Sequence, residues 1–586
     1  MLKRENYDGG IFVFYDSNGN FRMSLVYIEY EGIHRKFSYY KRFTIYVTHK
    51  LPNNTFRKQI GQCNFSSIQA IKEAFSVEPV TKEFYNEIQH WYFWALDKIS
   101  FPKSGKKHND NILDEDLNLI RLLTRLIFVW FLKEKNLISE FIFDENELRE
   151  ILKDFNKNTK SHYYYNAILQ NLFFATLNNL PEERGFALNE NFFKNKKTFD
   201  IKTLYRYEWM FKIETNEVID KFKKIPFLNG GLFECLDDEN IYIDGFSRNE
   251  KKRAKIPDYL FFQDEEITVD LSKYGLSRNA KVRGLINILK YYNFTIDENS
   301  FIDQEIALDP ELLGKIFENL LACIVPETQQ KARKATGSYY TPREIVEYMV
   351  NESIFLYLKT NTNIDEEILY LLLSYFDKDI ELEENQKIQI INAIDKIKIL
   401  YPACGSGAFT MGCLHKLVHI LRKVDPNNKY WRDKQIEKVK QQTEIVFENE
   451  KINKEEREEK LKEINSIFEE NVSYPDYARK LYLIENCIYG VDIQQIAIHI
   501  SKLRFFISLI LEQEINNEKE NFGIRPLPNL ETKFIAANSL ISLNKAHPLE
   551  SYRKIVEIRE NLKEIRHKYF LSKDRKEKLN YKNKDQ

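Results

Sequence analysis

Tyr401-Pro-Ala-Cys-Gly-Ser-Gly-Ala-Phe409 follows the apolar run Lys396-Ile-Lys-Ile-Leu400 and opens a helical pattern from Ala408 onward. A short apolar run, a glycine-bearing turn and a helix form a nucleotide cradle. Glycines in Cys404-Gly-Ser-Gly407 permit a tight turn and close backbone approach, and the free N–H groups at the helix start face the ligand. Gly-x-Gly by itself is a weak signal and is often structural. The surrounding string carries more information than the glycines do.

Downstream, Ile488-Tyr-Gly-Val-Asp492-Ile493 reads as a second strand that ends in an acid, with a helix through Ile496–Leu511. An acid there accepts hydrogen bonds from ribose hydroxyls, usually about 20 residues after the glycine turn. The separation is much longer here. Asn427–Lys480, dense in Lys and Glu, reads as long solvent-exposed helices inserted between the two strands. Taken alone, Asp492 also fits a solvent-facing turn; its place after the glycine turn favours the ribose role. A third piece, Phe534-Ile-Ala-Ala-Asn538-Ser-Leu-Ile541, is a short strand and a polar turn. Upstream, Thr336-Gly-Ser-Tyr-Tyr-Thr-Pro342 precedes a helix from Arg343, with Thr341 as N-cap and Pro342 at the first helical position. Lys331, Arg333 and Lys334 before it suit phosphates or a solvated basic run equally.

These strings resemble, in order, motifs X, I, II and III of the N6-adenine-specific DNA methyltransferases. With Asp309–Leu320, Pro226–Phe233 and the Arg121–Leu132 helix, nearly the whole chain is similar to the large fused type IIG restriction-modification enzymes. The resemblance implies S-adenosylmethionine as cofactor and double-stranded DNA as partner in a bacterial or archaeal cytoplasm. It places Tyr401, Pro402, Ala403, Cys404, Gly405, Ser406, Gly407 and Phe409 at the cofactor as motif I, with Asp492 and Ile493 at its ribose. Asn538 would reach the adenine ring, and Ser338, Tyr339 and Thr341 would fold over the methionine end.

Three departures from the family pattern shape the expectations. The family's Asn-Pro-Pro-Tyr/Phe motif, which holds the flipped adenine, has no match; Asp425-Pro-Asn-Asn is the nearest string and lies in the wrong place. The chain is therefore expected to be truncated before that motif and its target-recognition domain, to hold no catalytic residues, and to be inactive alone. No Glu-x-Lys follows an acidic strand end in residues 1–60, so neither a nuclease metal site nor cleavage is expected. Tyr401 stands where the family usually has Asp, which predicts weakened cofactor affinity. An alternative is a subunit completed by a separately encoded C-terminal partner. A small-molecule methyltransferase is disfavoured by the extent of the match.

At 586 residues and 70.1 kDa the chain exceeds a single core. The fold class expected is multidomain α+β. A β-rich remnant spans 1–65, a mainly helical region 66–300, and a helical region with the Thr336–Pro342 loop 301–395. A partial Rossmann-like α/β domain spans 396–545, with its charged insertion at 427–480, and a Lys-rich helical tail spans 546–586. Alternation in Ile11–Tyr15 and Phe21–Tyr27 around Asp16-Ser-Asn-Gly-Asn20 predicts a hairpin, with a third strand near Phe43–Val47. Helices are expected over Ser67–Phe75, Thr81–Leu96, capped by Thr81, and Asp114–Lys135. A net charge of -1 shows no global basic field, and the six cysteines form no CxxC pair. Leu126–Leu132, seven apolar residues flanked by Arg and Lys, is too short for a bilayer and reads as a buried helix.

Overall fold

The computed structural model describes residues 7–29, 39–102, 114–187, 202–228, 231–237, 242–295, 303–311, 314, 316, 341–375, 380–448, 474–541, 551–572 and 575–585. The chain is a mixture of helix and strand in two compact units. One is Met1–Tyr340 with Ile515–Leu527, and the other is Thr341–Glu514 with Pro528–Gln586.

In the first unit β1 (Gly9–Tyr15), β2 (Phe21–Glu29) and β3 (Tyr39–Val47) form the antiparallel meander that the alternation predicts. Asp16 shapes the first turn by accepting the N–H groups of Asn18 and Asn20 at 2.8 and 3.0 Å. A separate pair, β4 (Ile267–Val269) and β5 (Ala280–Val282), is antiparallel. The strand β6 (Asp303–Glu305) then joins β3 in parallel. Its three residues, Asp-Gln-Glu, offer no apolar alternation, so the sequence gives no sign of it.

Helix α1 (Glu78–Leu96) starts ahead of the expected Thr81. Pro79 lies in its first turn, and the Thr81 hydroxyl donates to the Val77 carbonyl at 3.0 Å instead of capping the helix. In α2 (Asp114–Glu134) every residue of Leu126–Leu132 is buried, as expected. No helix among the described residues is long and apolar enough to cross a membrane. Tyr164–Thr176 is a π-helix of 13 residues, all buried. Two of its amide side chains anchor it to segments distant in sequence: Gln170 Nε2 donates to the Asp244 carbonyl at 2.8 Å and Asn171 Nδ2 to the Arg206 carbonyl at 2.9 Å. The Asp258 carboxylate accepts the Tyr164 N–H at 2.8 Å.

The second unit begins with α3 (Arg343–Asn361). A strand and helix follow, β7 (Ile399–Tyr401) and α4 (Ala408–Val424). Then come α5 (Lys429–Glu448), α6 (Pro475–Asn486) and β8 (Ile488–Asp492). The unit closes with α7 (Gln495–Leu511), β9 (Phe534–Ala536), α8 (Ser551–Leu571) and α9 (Arg575–Asp585). The three strands are parallel in the order β7-β8-β9, with Tyr401 opposite Gly490 and Gly490 opposite Phe534. Parallel neighbours require helical crossovers, and α4 and α7 fill that role. Phe505 of α7 packs on Phe534 with ring centroids 4.7 Å apart. Gly490 is required there, because a Cβ would lie 2.7 Å from the Phe534 ring and 2.9 Å from Cys404 Sγ.

The insertion differs from the expected solvated helices in its described part. Trp431 of α5 is fully buried and meets Tyr482 edge to face at 5.2 Å. Arg479 is buried too, donating to Asn428 Oδ1 at 3.0 Å and to Asp476 Oδ1 at 2.9 Å. One large aromatic and a paired guanidinium dock a segment whose composition is otherwise charged. Residues 449–473 of the insertion lie outside the described residues. Asp425, of the Asp425-Pro-Asn-Asn string, caps α5 by accepting the Lys429 and Trp431 N–H groups at 2.8 and 2.9 Å.

Candidate functional site

The turn between β7 and α4 is held from three directions. Within it, Gly405 and Gly407 take left-handed φ of 53° and 87°, and the Gly407 N–H donates to the Cys404 carbonyl at 2.9 Å. From β8, the Val491 carbonyl accepts the Cys404 N–H at 2.9 Å, and Asp492 Oδ2 accepts the Gly405 N–H at 2.9 Å. From α7, the Ser501 hydroxyl donates to the Gly405 carbonyl at 2.9 Å, and Arg504 donates to the Ser406 carbonyl at 3.3 Å. Ser501 and Arg504 are the supports that sequence reading missed. Their spacing of three residues puts them on one face of the helix, but His499, Lys502 and Ser508 are polar there too, so polarity alone does not single them out.

Asp492 is the hub. Its other oxygen accepts the Gln494 N–H at 2.8 Å, and its carbonyl accepts the Ala537 N–H at 2.9 Å, tying β8 to the end of β9. A carboxylate has about four lone-pair directions, so these two bonds leave room for two further donors. The loop after β9 returns to the turn, where the Ser539 hydroxyl donates to the Pro402 carbonyl at 2.9 Å. Next to it Asn538 Oδ1 accepts the Leu540 N–H at 3.0 Å, which leaves its amide nitrogen for another partner.

Residues 401–409, 492–494 and 537–540 therefore meet at the carboxyl ends of three parallel strands, where open α/β sheets bind their ligands. Pro402, Ala403, Ile493 and Asn538 are exposed at this end, while Cys404, Ser406 and Gly407 are buried beneath it. Burial pushes the Cys404 thiol up to about 12, so it is a packing atom and not a nucleophile. The Tyr401 ring stacks face to face on Phe409, with centroids 4.7 Å apart and planes 14° apart, and both rings are half-buried. Burial also raises the Tyr401 phenol, which stays neutral.

Upstream, the structure corrects the assignment of Thr341. Helix α3 starts at Arg343 as expected, but its N-cap is Pro342, whose carbonyl accepts the Ile345 and Val346 N–H groups, both at 3.1 Å. Extended ψ at Pro342 moves the cap one residue on, and Thr341 makes no capping bond. Ser338 and Tyr339 lie outside the described residues. The helix itself packs on α4, where a Cβ at Gly412 would lie 3.1 Å from Val346 Cγ1.

The first unit holds one group of metal-type donors among the described residues, Cys235, Asp237 and Asp244, all buried. Both carboxylates are engaged by the protein itself. Asp237 accepts four N–H groups, from Ile243, Asp244, Gly245 and Phe246, and Asp244 accepts Arg125 and the Leu236 N–H. This is a loop clamp around a buried ion pair.

Among known proteins, the chain is similar to one from Methanocaldococcus jannaschii whose name assigns it provisionally as a type II restriction enzyme and methyltransferase. They are 27% identical over 492 residues, covering 79% of this chain and 32% of that protein. The chain thus spans about a third of the relative's length. No family model and no solved structure matches it.

Proposed function

We propose that the second unit binds S-adenosylmethionine, and that the chain serves an N6-adenine-specific DNA methyltransferase of a restriction-modification system. The observation that carries this is the 2.9 Å hydrogen bond from the Gly405 N–H to Asp492 Oδ2. It unites the glycine turn after one strand with the acid ending the next, across 87 residues of sequence. In dinucleotide-binding parallel α/β sheets a glycine turn and an acid further on are the two parts that hold the nucleotide.

In this reading the two free acceptor directions of Asp492 take the ribose hydroxyls. Exposed Ile493 supplies an apolar surface for the adenine, and the free amide nitrogen of Asn538 reaches its edge. The backbone of Ala403 to Gly407 and the aromatic Tyr401 and Phe409 border the methionine portion. By resemblance, Ser338, Tyr339 and Thr341 cover that end. Bound there, the cofactor supplies an electrophilic methyl group for an adenine of double-stranded DNA. The family's catalytic Asn-Pro-Pro-aromatic string is not among these residues.

A second reading is a cofactor- and DNA-binding subunit whose site is completed by a separately encoded partner. It is favoured by one face of the sheet, where Leu400 is 62% and Ile535 44% exposed. Parallel sheets are ordinarily covered on both faces.

Calorimetric titration of the purified chain with S-adenosylmethionine tests the first claim. Saturable one-to-one binding is expected, and no heat at millimolar ligand would overturn it. Transfer of labelled methyl groups to duplex DNA, measured with and without a candidate partner, separates the two readings.

A further inference from the structure

The position occupied by Tyr401 poses a chemical problem that the stacked ring pair answers. A neutral phenol cannot offer the charge of a carboxylate at the end of β7. It does offer an aromatic face, and that face is backed by a second, nearly parallel ring 4.7 Å behind it. An aromatic face carries negative electrostatic potential and attracts cations, best those that bring no hydrogen-bond donors needing acceptors. The Tyr401 ring remains partly exposed at the ligand-facing end of the sheet, beside exposed Pro402 and Ala403. The loop conformation that sets it there is fixed by the left-handed glycines and the Ser501, Arg504 and Asp492 bonds.

We infer that the stacked Tyr401–Phe409 pair reads the positive charge of a sulfonium, so that the site prefers S-adenosylmethionine to its uncharged thioether product. This rests on the proposed cofactor reading and adds to it a residue that sets ligand preference. A sulfonium carries its charge on sulfur and alkyl groups with no N–H to satisfy, so an aromatic face suits it. The methionine ammonium, by contrast, seeks oxygen acceptors. Tyr401 in this role makes product release easier, since the thioether loses the charge that the ring attracts.

The test is calorimetry with S-adenosylmethionine and S-adenosylhomocysteine on the wild-type chain and on Tyr401→Phe, Tyr401→Leu and Phe409→Leu. Cation–π attraction predicts that Tyr401→Leu lowers the ratio of the two affinities by roughly three- to thirty-fold, through the sulfonium ligand alone. Tyr401→Phe keeps the ratio, because the face and not the hydroxyl is used. Phe409→Leu, which leaves Tyr401 in place, lowers the ratio less. Equal losses for both ligands in Tyr401→Leu, or an unchanged ratio in both Leu variants, would overturn the inference while leaving the cofactor site standing. Failure of the wild-type chain to bind either ligand would overturn the cofactor reading and this inference with it.

Discussion

Adding one methyl group at Gly407 tests the architecture of the turn more sharply than removing any side chain. With φ at 87°, an L-residue there enters the left-handed region at a cost of about 1–2 kcal/mol. The new Cβ would also lie 2.9 Å from Ser501 Oγ and 3.3 Å from Thr410 Oγ1. Relieving that contact moves the Ser501 hydroxyl off the Gly405 carbonyl, a loss of about 1 kcal/mol. Gly407→Ala is therefore expected to destabilise the second unit by about 2–3 kcal/mol, the sum of strain and lost bond. Urea unfolding followed by circular dichroism reads this as a lower midpoint at unchanged slope. Gly185→Ala is the control, because a Cβ at Gly185 meets nothing within 4 Å. If the two variants unfolded at the same urea concentration, the turn would not have the conformation described and the argument built on it would fail.

Other perturbations reach different parts of the same unit. Asp492→Ala strips the Gly405 and Gln494 N–H groups of their acceptor and should cost about 1–3 kcal/mol of stability while abolishing nucleoside binding, both measurable in one thermal-shift titration. Retained cofactor affinity in that variant would remove Asp492 from the site. Trp431→Ala, at a fully buried indole, should cost about 3–5 kcal/mol in urea unfolding, whereas a solvated insertion helix would lose almost nothing. Burial holds His419 down at about 4, with its Nε2 donating to the Ser374 carbonyl at 3.0 Å. Because the folded value lies below the ordinary 6.5, the neutral ring's contribution is full above about 6.5 and is lost as pH falls toward 4, by up to about 3 kcal/mol. His419→Gln should flatten the fall in urea midpoint between those pH values, and an unchanged slope would assign it to other groups.

The parts legible in the sequence are those whose local physics is unambiguous. The Asp16 turn with its flanking alternation gave the meander, and Ile488–Asp492 gave the second parallel strand nearly residue for residue. Asp492 stands out in the sequence because it ends a strand that follows the glycine turn, yet its hydrogen bond to Gly405 could not be read across so long a separation. Ser501 and Arg504 escaped because support of a turn from a neighbouring helix leaves no periodic trace. Thr341 and Thr81 show the limit of capping rules: each sits beside a proline-containing helix start, and the backbone, not the hydroxyl, decides where the helix begins. Trp431 was overlooked because composition averages over a segment while burial acts on single side chains. The π-helix at Tyr164–Thr176 is set by partners distant in sequence, which no local pattern encodes.

The central claim is that three strand ends of the second unit form one cofactor site. Ultraviolet crosslinking of radiolabelled S-adenosylmethionine to the purified chain, followed by peptide mapping, tests it most directly. Label is expected only in peptides containing Tyr401–Phe409, Asp492–Ile493 or Asn538, and is lost in Asp492→Ala. Label that falls elsewhere in the chain, or that survives that substitution undiminished, would contradict it.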